Sequence, residues 1–401
     1  MARFRRRAGA VALGPSEQQT TIFDRFGSIA RLVETPDPAR PAAMLLCVCL
    51  AMMGLGLLLQ ASHAATILSP ERFTAEVVQQ AGLRVLGVLV LLGAWRLGPA
   101  DLRRVLPVLV VVAGLLLLCV WVPHVGKPEN GAHRWIRVPF AGLSFQPSEL
   151  ARVVMVVWVA DRCTRLGEEL SDLRRGVLPI FFLGFLFFGL IATETDIGGA
   201  LLFLGCFVST LWVGGARFLH AAGSVAAIGG AGFVLAVSSL EYIRGRLAVF
   251  FGQAQNEQVS QAIQALGSGK LLGVGVGRGL FRNSGIPYQD SDYVFALVGE
   301  ELGLFGMLVC LGLIFSFVWF SLRLVLSIPD RFAALAAFGL LLSVSVQAML
   351  HMQVVTGLAP PKGMTLPFIS DGGTSLVISS LAVGLALGAA RPRPSHDPLT
   401  V

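Results

Sequence analysis

Ser291-Asp292-Tyr293 places a carboxylate immediately before the apolar run Val294-Phe295-Ala296. Ser291 is suited to cap a helix there, with Asp292 in its first turn, where the N-terminal end of the helix dipole favours the ionised acid. Such a carboxylate serves either as a cap or as a general base toward a hydroxyl within hydrogen-bond reach. Asp290 is a weaker candidate. Glu300 and Glu301 follow about two turns later, and acids so deep in an apolar run are expected to turn at least one side chain inward, toward an ion-pair partner. Gly267–Gly279 reads GSGKLLGVGVGRG. No strand–turn–helix context makes it a nucleotide loop, so it is either a flexible hairpin or a backbone that approaches phosphate beside Lys270 and Arg278.

Three further groups carry charge where chemistry is possible. Lys127, Arg134 and Arg137 cluster with Trp135, a combination suited to an anionic group that also carries sugars. Glu149 and Arg152 are spaced for an ion pair on one helix face, with Ser148 as the expected cap. Lys362 stands between Pro361 and Gly363, in a segment whose fixed entry suits a lysine that meets phosphate as a point charge.

The elements that must position these residues are membrane spans. Hydrophobic residues make up 55% of the 401 and charged ones 14%, with a mean hydropathy of +0.74, which excludes a disordered chain and argues against a soluble enzyme. About ten segments are apolar enough to cross: 42–62, 84–100, 105–123, 150–162, 177–193, 197–214, 219–239, 294–322, 332–356 and 372–390. The expected fold is an all-α polytopic membrane protein, with a polar tail over 1–41, a ten-span domain over 42–390 that includes a large loop at 241–291, and a short tail over 391–401.

The net charge of +7 comes largely from arginines before the first span and after the even-numbered ones, among them Arg103, Arg104, Arg174, Arg175, Arg217, Arg323 and Arg391. That asymmetry places both termini in the cytoplasm and explains the basicity without nucleic acid. The six cysteines lie in or beside spans without zinc-ligand spacing and read as small apolar fillers. The polar connections Ser62–Gly82, His124–Glu149, Glu194–Asp196, Glu241–Ser291 and Gly357–Gly373 then share one side of the membrane, the first of them a bland helix or loop.

Five segments carry a resemblance: NGAHRWIRVPFAGLSFQPSE (130–149), TDIGGAL (195–201), 258–277, 287–303 and TGLAPPKGMTLPFISDGGTS (356–375). In this order, between ten spans, they resemble the SEDS family (shape, elongation, division and sporulation), the FtsW/RodA peptidoglycan glycosyltransferases. PPKGMTLPFIS looks more like the division-type FtsW branch.

The resemblance implies polymerisation of lipid II at the outer face of the inner (cytoplasmic) membrane. Asp292 would be the catalytic base for the acceptor sugar's C4 hydroxyl. Glu149 and Arg152 match the family's Glu and Lys, Arg134 its arginine beside the loop tryptophan Trp135, and Lys362 its proline-flanked lysine. Arg134, Lys270 and Lys362 are candidates for the pyrophosphate, with Arg278 near them and a divalent cation, magnesium or manganese, as a further expectation. No organic cofactor is implied. The implied partners are a class B penicillin-binding protein, which supplies the transpeptidase, and other division or elongation proteins. Spans eight and nine, with Gly303, Gly306, Gly312, Ala334, Ala337 and Gly339, are expected either to receive that partner's span or to pack within the bundle.

The chain departs from the family in three places. Tyr288-Gln289-Asp290-Ser291 precedes Asp292 where Glu-Ala-His-Thr is usual, Glu194-Thr195 stands for Gln-Pro, and Asp371 for an aromatic. A lipid II flippase and a non-catalytic division scaffold remain as other functions for such a chain.

Overall fold

The computed structural model describes residues 37–129, 132–137, 144–226, 241–252, 256–280 and 289–391. It is a helical bundle. Helices α1 (Ala39–Ile67), α2 (Pro70–Leu102) and α3 (Leu106–Cys119) precede a small sheet, and α4 (Pro147–Leu166), α5 (Leu178–Thr193), α6 (Ile197–Val213) and α7 (Phe218–Ser224) follow it. Then come α8 (Glu241–Phe250), α9 (Glu257–Ser268), a single turn α10 (Gln289–Asp292), α11 (Val294–Ser327), α12 (Arg331–Val355) and α13 (Gly373–Ala389).

Helices stand at all ten expected segments, the seventh only at its start, since 227–240 lies outside the described residues. Among the described residues five helices are long and apolar enough to cross a membrane: α1, α2, α11, α12 and the helix through Leu173–Thr193. Proline explains several starts. Pro70, Pro107, Pro147 and Pro179 occupy the first or second helical position, where the missing N–H has no intrahelical partner to lose.

The structure corrects several expectations. Helix α4 begins at Pro147 behind an extended Gln146, so Ser148 lies inside the helix and is not its cap. At Ser62–Gly82, where a helix or loop was expected, the structure agrees in showing mostly helix, since α1 runs to Ile67 and α2 starts at Pro70. The polar connection before α4 holds a three-stranded antiparallel sheet, β1 (Gly126–Glu129), β2 (Ala132–Arg137) and β3 (Ser144–Phe145), with Lys127 opposite Trp135.

Close backbone approach builds the bundle, because apolar burial does not drive association in lipid. Helix α13 lies along α2, where a Cβ on Gly388 would meet Gly98 Cα at 2.6 Å and one on Gly384 would meet Ala94 Cβ at 2.8 Å. On α12, Ala334, Ala337 and Gly339 are enclosed, Gly339 against Val156 and Thr210, and on α11 Gly303 and Gly306 are buried. These small residues are thus enclosed by the chain itself. Of the six, Gly312 alone is exposed.

Candidate active site

Asp292 ends the α10 turn, and α11 starts only at Val294, with Tyr293 as its N-cap. Ser291 is therefore not the cap. Its carbonyl accepts from Ser370 Oγ at 2.6 Å, the Asp290 carbonyl accepts from Gln60 Nε2 at 3.2 Å and from the Asp371 N–H at 3.1 Å, and His63 Nε2 lies 3.8 Å from Asp290 Oδ2. The turn that presents Asp292 is thus held from α1 and from the segment before α13. A Cβ on Gly56 would lie 2.6 Å from the Ile369 carbonyl, so this glycine lets α1 reach that segment.

Glycines also make room for Asp292 and for Lys362. A Cβ on Gly363 would lie 2.7 Å from Asp292 Oδ2. The neighbouring residue, Lys362, runs its side chain across Gly198, where any Cβ would collide with Cδ, Cε and Nζ. Asp292, Gly363, Lys362 and the first turn of α6 therefore form one contiguous group.

Arg134 reaches the same turn. Its Nη2 donates to the Thr195 carbonyl at 2.5 Å and its Nη1 stands 4.0 Å from Asp196 Oδ1. Asp196 caps α6 by accepting from Gly199 N at 2.9 Å, and it also accepts from Gln146 Nε2 at 3.1 Å. Arg134 is the extra residue where the register of β1 and β2 shifts, since Trp135 faces Lys127 and His133 faces Pro128.

Beneath this group lies a polar layer. Arg152 Nη2 donates to Gln347 Oε1 at 2.7 Å instead of pairing with Glu149. Gln347 Nε2 donates to the Thr365 carbonyl at 3.2 Å and to Ser375 Oγ at 3.1 Å, and Thr365 donates to Ser375 at 2.7 Å. Ser375 in turn hydrogen-bonds Glu149. The expected i,i+3 ion pair is thus a relay that ties α4 to α12, α13 and the Lys362 segment.

Lys270 and Arg278 are exposed, and among the described residues neither touches the Asp292–Lys362 group. Their glycine stretch is no free hairpin but is latched to α11. Gly303 (φ 65°) breaks that helix in a conformation costly for any other residue, so the carbonyls of Glu300 and Glu301 accept from Val274 N and Gly275 N at 2.9 and 3.1 Å. The amides of Leu304 and Phe305 donate back to the Lys270 and Leu271 carbonyls at 2.9 and 3.2 Å. Both glutamates are buried: Glu300 accepts from Leu280 N at 2.7 Å and Glu301 from Ser62 Oγ at 2.8 Å.

Sequence reasoning missed two features. Gln60 and His63, three residues apart at the end of an apolar helix, were a periodic signal that they share a face. Glu194 was named only as part of a short polar connection and as a departure. It is fully buried, with neither carboxylate oxygen hydrogen-bonded to any described residue. Burial, then Asp196, push its pKa from the usual 4.5 up to about 9 against the pull of Arg134, so it is a neutral acid at pH 7. The Asp371 carboxyl is also raised by burial, against a hydrogen bond from Gln80, with Asp290 and Glu76 adding to the rise and Arg84 opposing it.

Among the described residues no three His, Cys, Asp or Glu side chains converge as a metal site would need.

A helical membrane bundle with a carboxylate and a lysine at one end defines the class, and comparison with known proteins refines it. The family model of the cell cycle proteins FtsW, RodA and SpoVE matches residues 41–393. A probable peptidoglycan glycosyltransferase FtsW of Geobacter metallireducens is 32% identical over 308 residues, 76% of this chain and 81% of the relative. Stage V sporulation protein E of Bacillus subtilis is 31% identical over 71% of this chain and 78% of its own length. Among solved structures, a chain of a peptidoglycan synthase complex, described for its coordination of polymerization and crosslinking, superposes with a TM-score of 0.71 at 25% identity, covering 86% of this chain and 96% of that one. The rod shape determining protein RodA of Thermus thermophilus shares the fold, with a TM-score of 0.61 over 86% of this chain and 95% of its own, at 24% identity. The chain belongs to the FtsW/RodA/SpoVE family.

Proposed function

We propose that this chain is a peptidoglycan glycosyltransferase that polymerises lipid II. The observation that carries the reading is the seating of Asp292 against Gly363, beside Lys362. In this reading Asp292 accepts the proton of the acceptor's C4 hydroxyl. The freed oxygen attacks the anomeric carbon of the growing chain with inversion, and the bond to undecaprenyl pyrophosphate breaks. Lys362 and Arg134 stabilise the charge that develops on the leaving pyrophosphate, the kind of fixed charge complement that supplies much of enzymatic rate enhancement. Lys270 and Arg278, being exposed on the latched loop, meet the pyrophosphate or its lipid at the rim.

The arginine distribution supports an inner-membrane placement with both termini cytoplasmic and this site at the outer face. A transpeptidase of the class B penicillin-binding type is the proposed partner, in keeping with the synthase complex to which the chain is similar. The test is to incubate purified protein with lipid II and size the products. Glycan strands support the reading. Movement of lipid II across vesicles without polymer would replace it with a flippase.

A further inference from the structure

At the end of α4 away from Glu149, three guanidiniums converge on one carboxylate. Asp161 is 1% exposed and accepts from Arg103 Nε at 2.5 Å, from Arg165 Nε at 2.8 and 2.9 Å, and from Arg162 Nη2 at 3.2 Å. Each arginine is positioned by more than that acid or by its own helix. Arg103 stacks over Phe332 with 4.6 Å to the ring centroid and donates to Thr164 Oγ1 at 3.4 Å, Arg162 lies 5.8 Å over Trp158, and Arg165 is one helical turn from Asp161. A fourth arginine, Arg331, adjoins Phe332 and donates to the Gly214 carbonyl at 2.8 Å.

Three positive charges on one negative leave an excess of two. The acid is enclosed while the arginine side chains are 36, 37 and 53% exposed, so the charge is neutralised on the inside and unbalanced on the outside. Arg165 engages Asp161 through Nε alone, and its two Nη groups have no partner among the described residues. Glu168 and Glu169 follow in an exposed turn and form no ion pair with the three among the described residues. Planar guanidiniums fixed in this way bind phosphate through paired N–H groups. Glu149 and Asp161 are about 18 Å apart along the helix, so this cluster is separate from the Asp292 group.

We infer that the Arg103–Arg162–Arg165 cluster binds the headgroup of a membrane phospholipid that carries two phosphates, with Asp161 acting as its organiser. Two forks from different helices, α2 and α4, and two unbalanced charges match two phosphates, and basic pockets between spans are the usual seat of such lipids. The inference rests on the chain spanning a membrane and not on the role of Asp292.

Full-length protein in neutral detergent, titrated with diphosphatidylglycerol and read by native mass spectrometry, tests this. Binding should be at least tenfold tighter than that of phosphatidylcholine. Arg103→Gln with Arg165→Gln should weaken it roughly 30-fold, about fivefold for each charge removed. Because that pair of changes leaves Asp161 under-compensated, the triple variant with Asp161→Asn is the folding control, and it should lose the lipid while keeping its helical circular dichroism. Equal lipid affinity in the wild type and the folded triple variant overturns the inference. So does equal binding of phosphatidylcholine, or saturation of the cluster by inorganic pyrophosphate with no competition from the lipid.

Discussion

Replacing Glu194 with glutamine isolates the effect of a buried neutral acid. The amide has nearly the same shape and cannot ionise. In the wild type the carboxyl titrates near 4.5 when unfolded and about 9 when folded. The folded state therefore holds a proton that the unfolded chain releases, and the stability this contributes is complete below pH 4.5 and lost as the pH rises toward 9. Inside that window the wild type loses about 1.4 kcal/mol per pH unit relative to the glutamine variant. From pH 6 to pH 8 the gap should change by about 2.7 kcal/mol in favour of the variant, a value that does not depend on the exact upper pKa so long as it exceeds 8. Reversible unfolding in mixed detergent micelles, run on both proteins at both pH values, measures it. A gap that stays constant would mean that Glu194 is ionised in the folded protein, and the account of its burial beside Asp196 would fail.

Gly198→Ala should displace Lys362 and lower polymerisation by up to roughly 10²-fold, the scale of losing one charge-stabilising donor, with the protein still in the membrane; unchanged turnover would show that Lys362 does not act from that seat. Gly303→Ala puts a side chain into a positive-φ, extended conformation (φ 65°, ψ −161°) that is essentially glycine's alone and costs roughly 1–3 kcal/mol, and it meets the Leu271 carbonyl as well. Faster proteolysis within 269–279 and a lower thermal midpoint should follow, and an unaltered cleavage pattern would argue against the latch. In a variant without native cysteines, thiols placed at 267 and 270 should react with an impermeant reagent from outside intact cells and one at 174 should not; the reverse pattern would invert the proposed topology.

Helix positions were legible because spans must be long and apolar and prolines mark their starts. Exact caps were not: Gln146 precedes α4 because proline takes the first helical position, and a separate turn carries Asp292 because the adjacent backbone is held from α1 and the Ser370 turn. The charged residues of the site were legible one by one, yet their grouping was not. Lys362 fills the space that Gly198 leaves and Asp292 the space that Gly363 leaves, and glycine in a sequence does not say what fills that space. Arg152 reads as the partner of Glu149 by spacing, but Gln347, on a different helix, offers the better-placed acceptor. His63 was hidden at the end of an apolar run, because its partner Asp290 lies far away in sequence.

The most direct test of the account is lipid II polymerisation by purified wild-type protein and by Asp292→Asn, with correct folding confirmed in both. The amide keeps the shape of the carboxylate but cannot take the hydroxyl proton, so the rate should fall by roughly 10²–10⁴-fold while lipid II binding is retained. Glycan strands made by the variant at near the wild-type rate would contradict the assignment of Asp292 as the base.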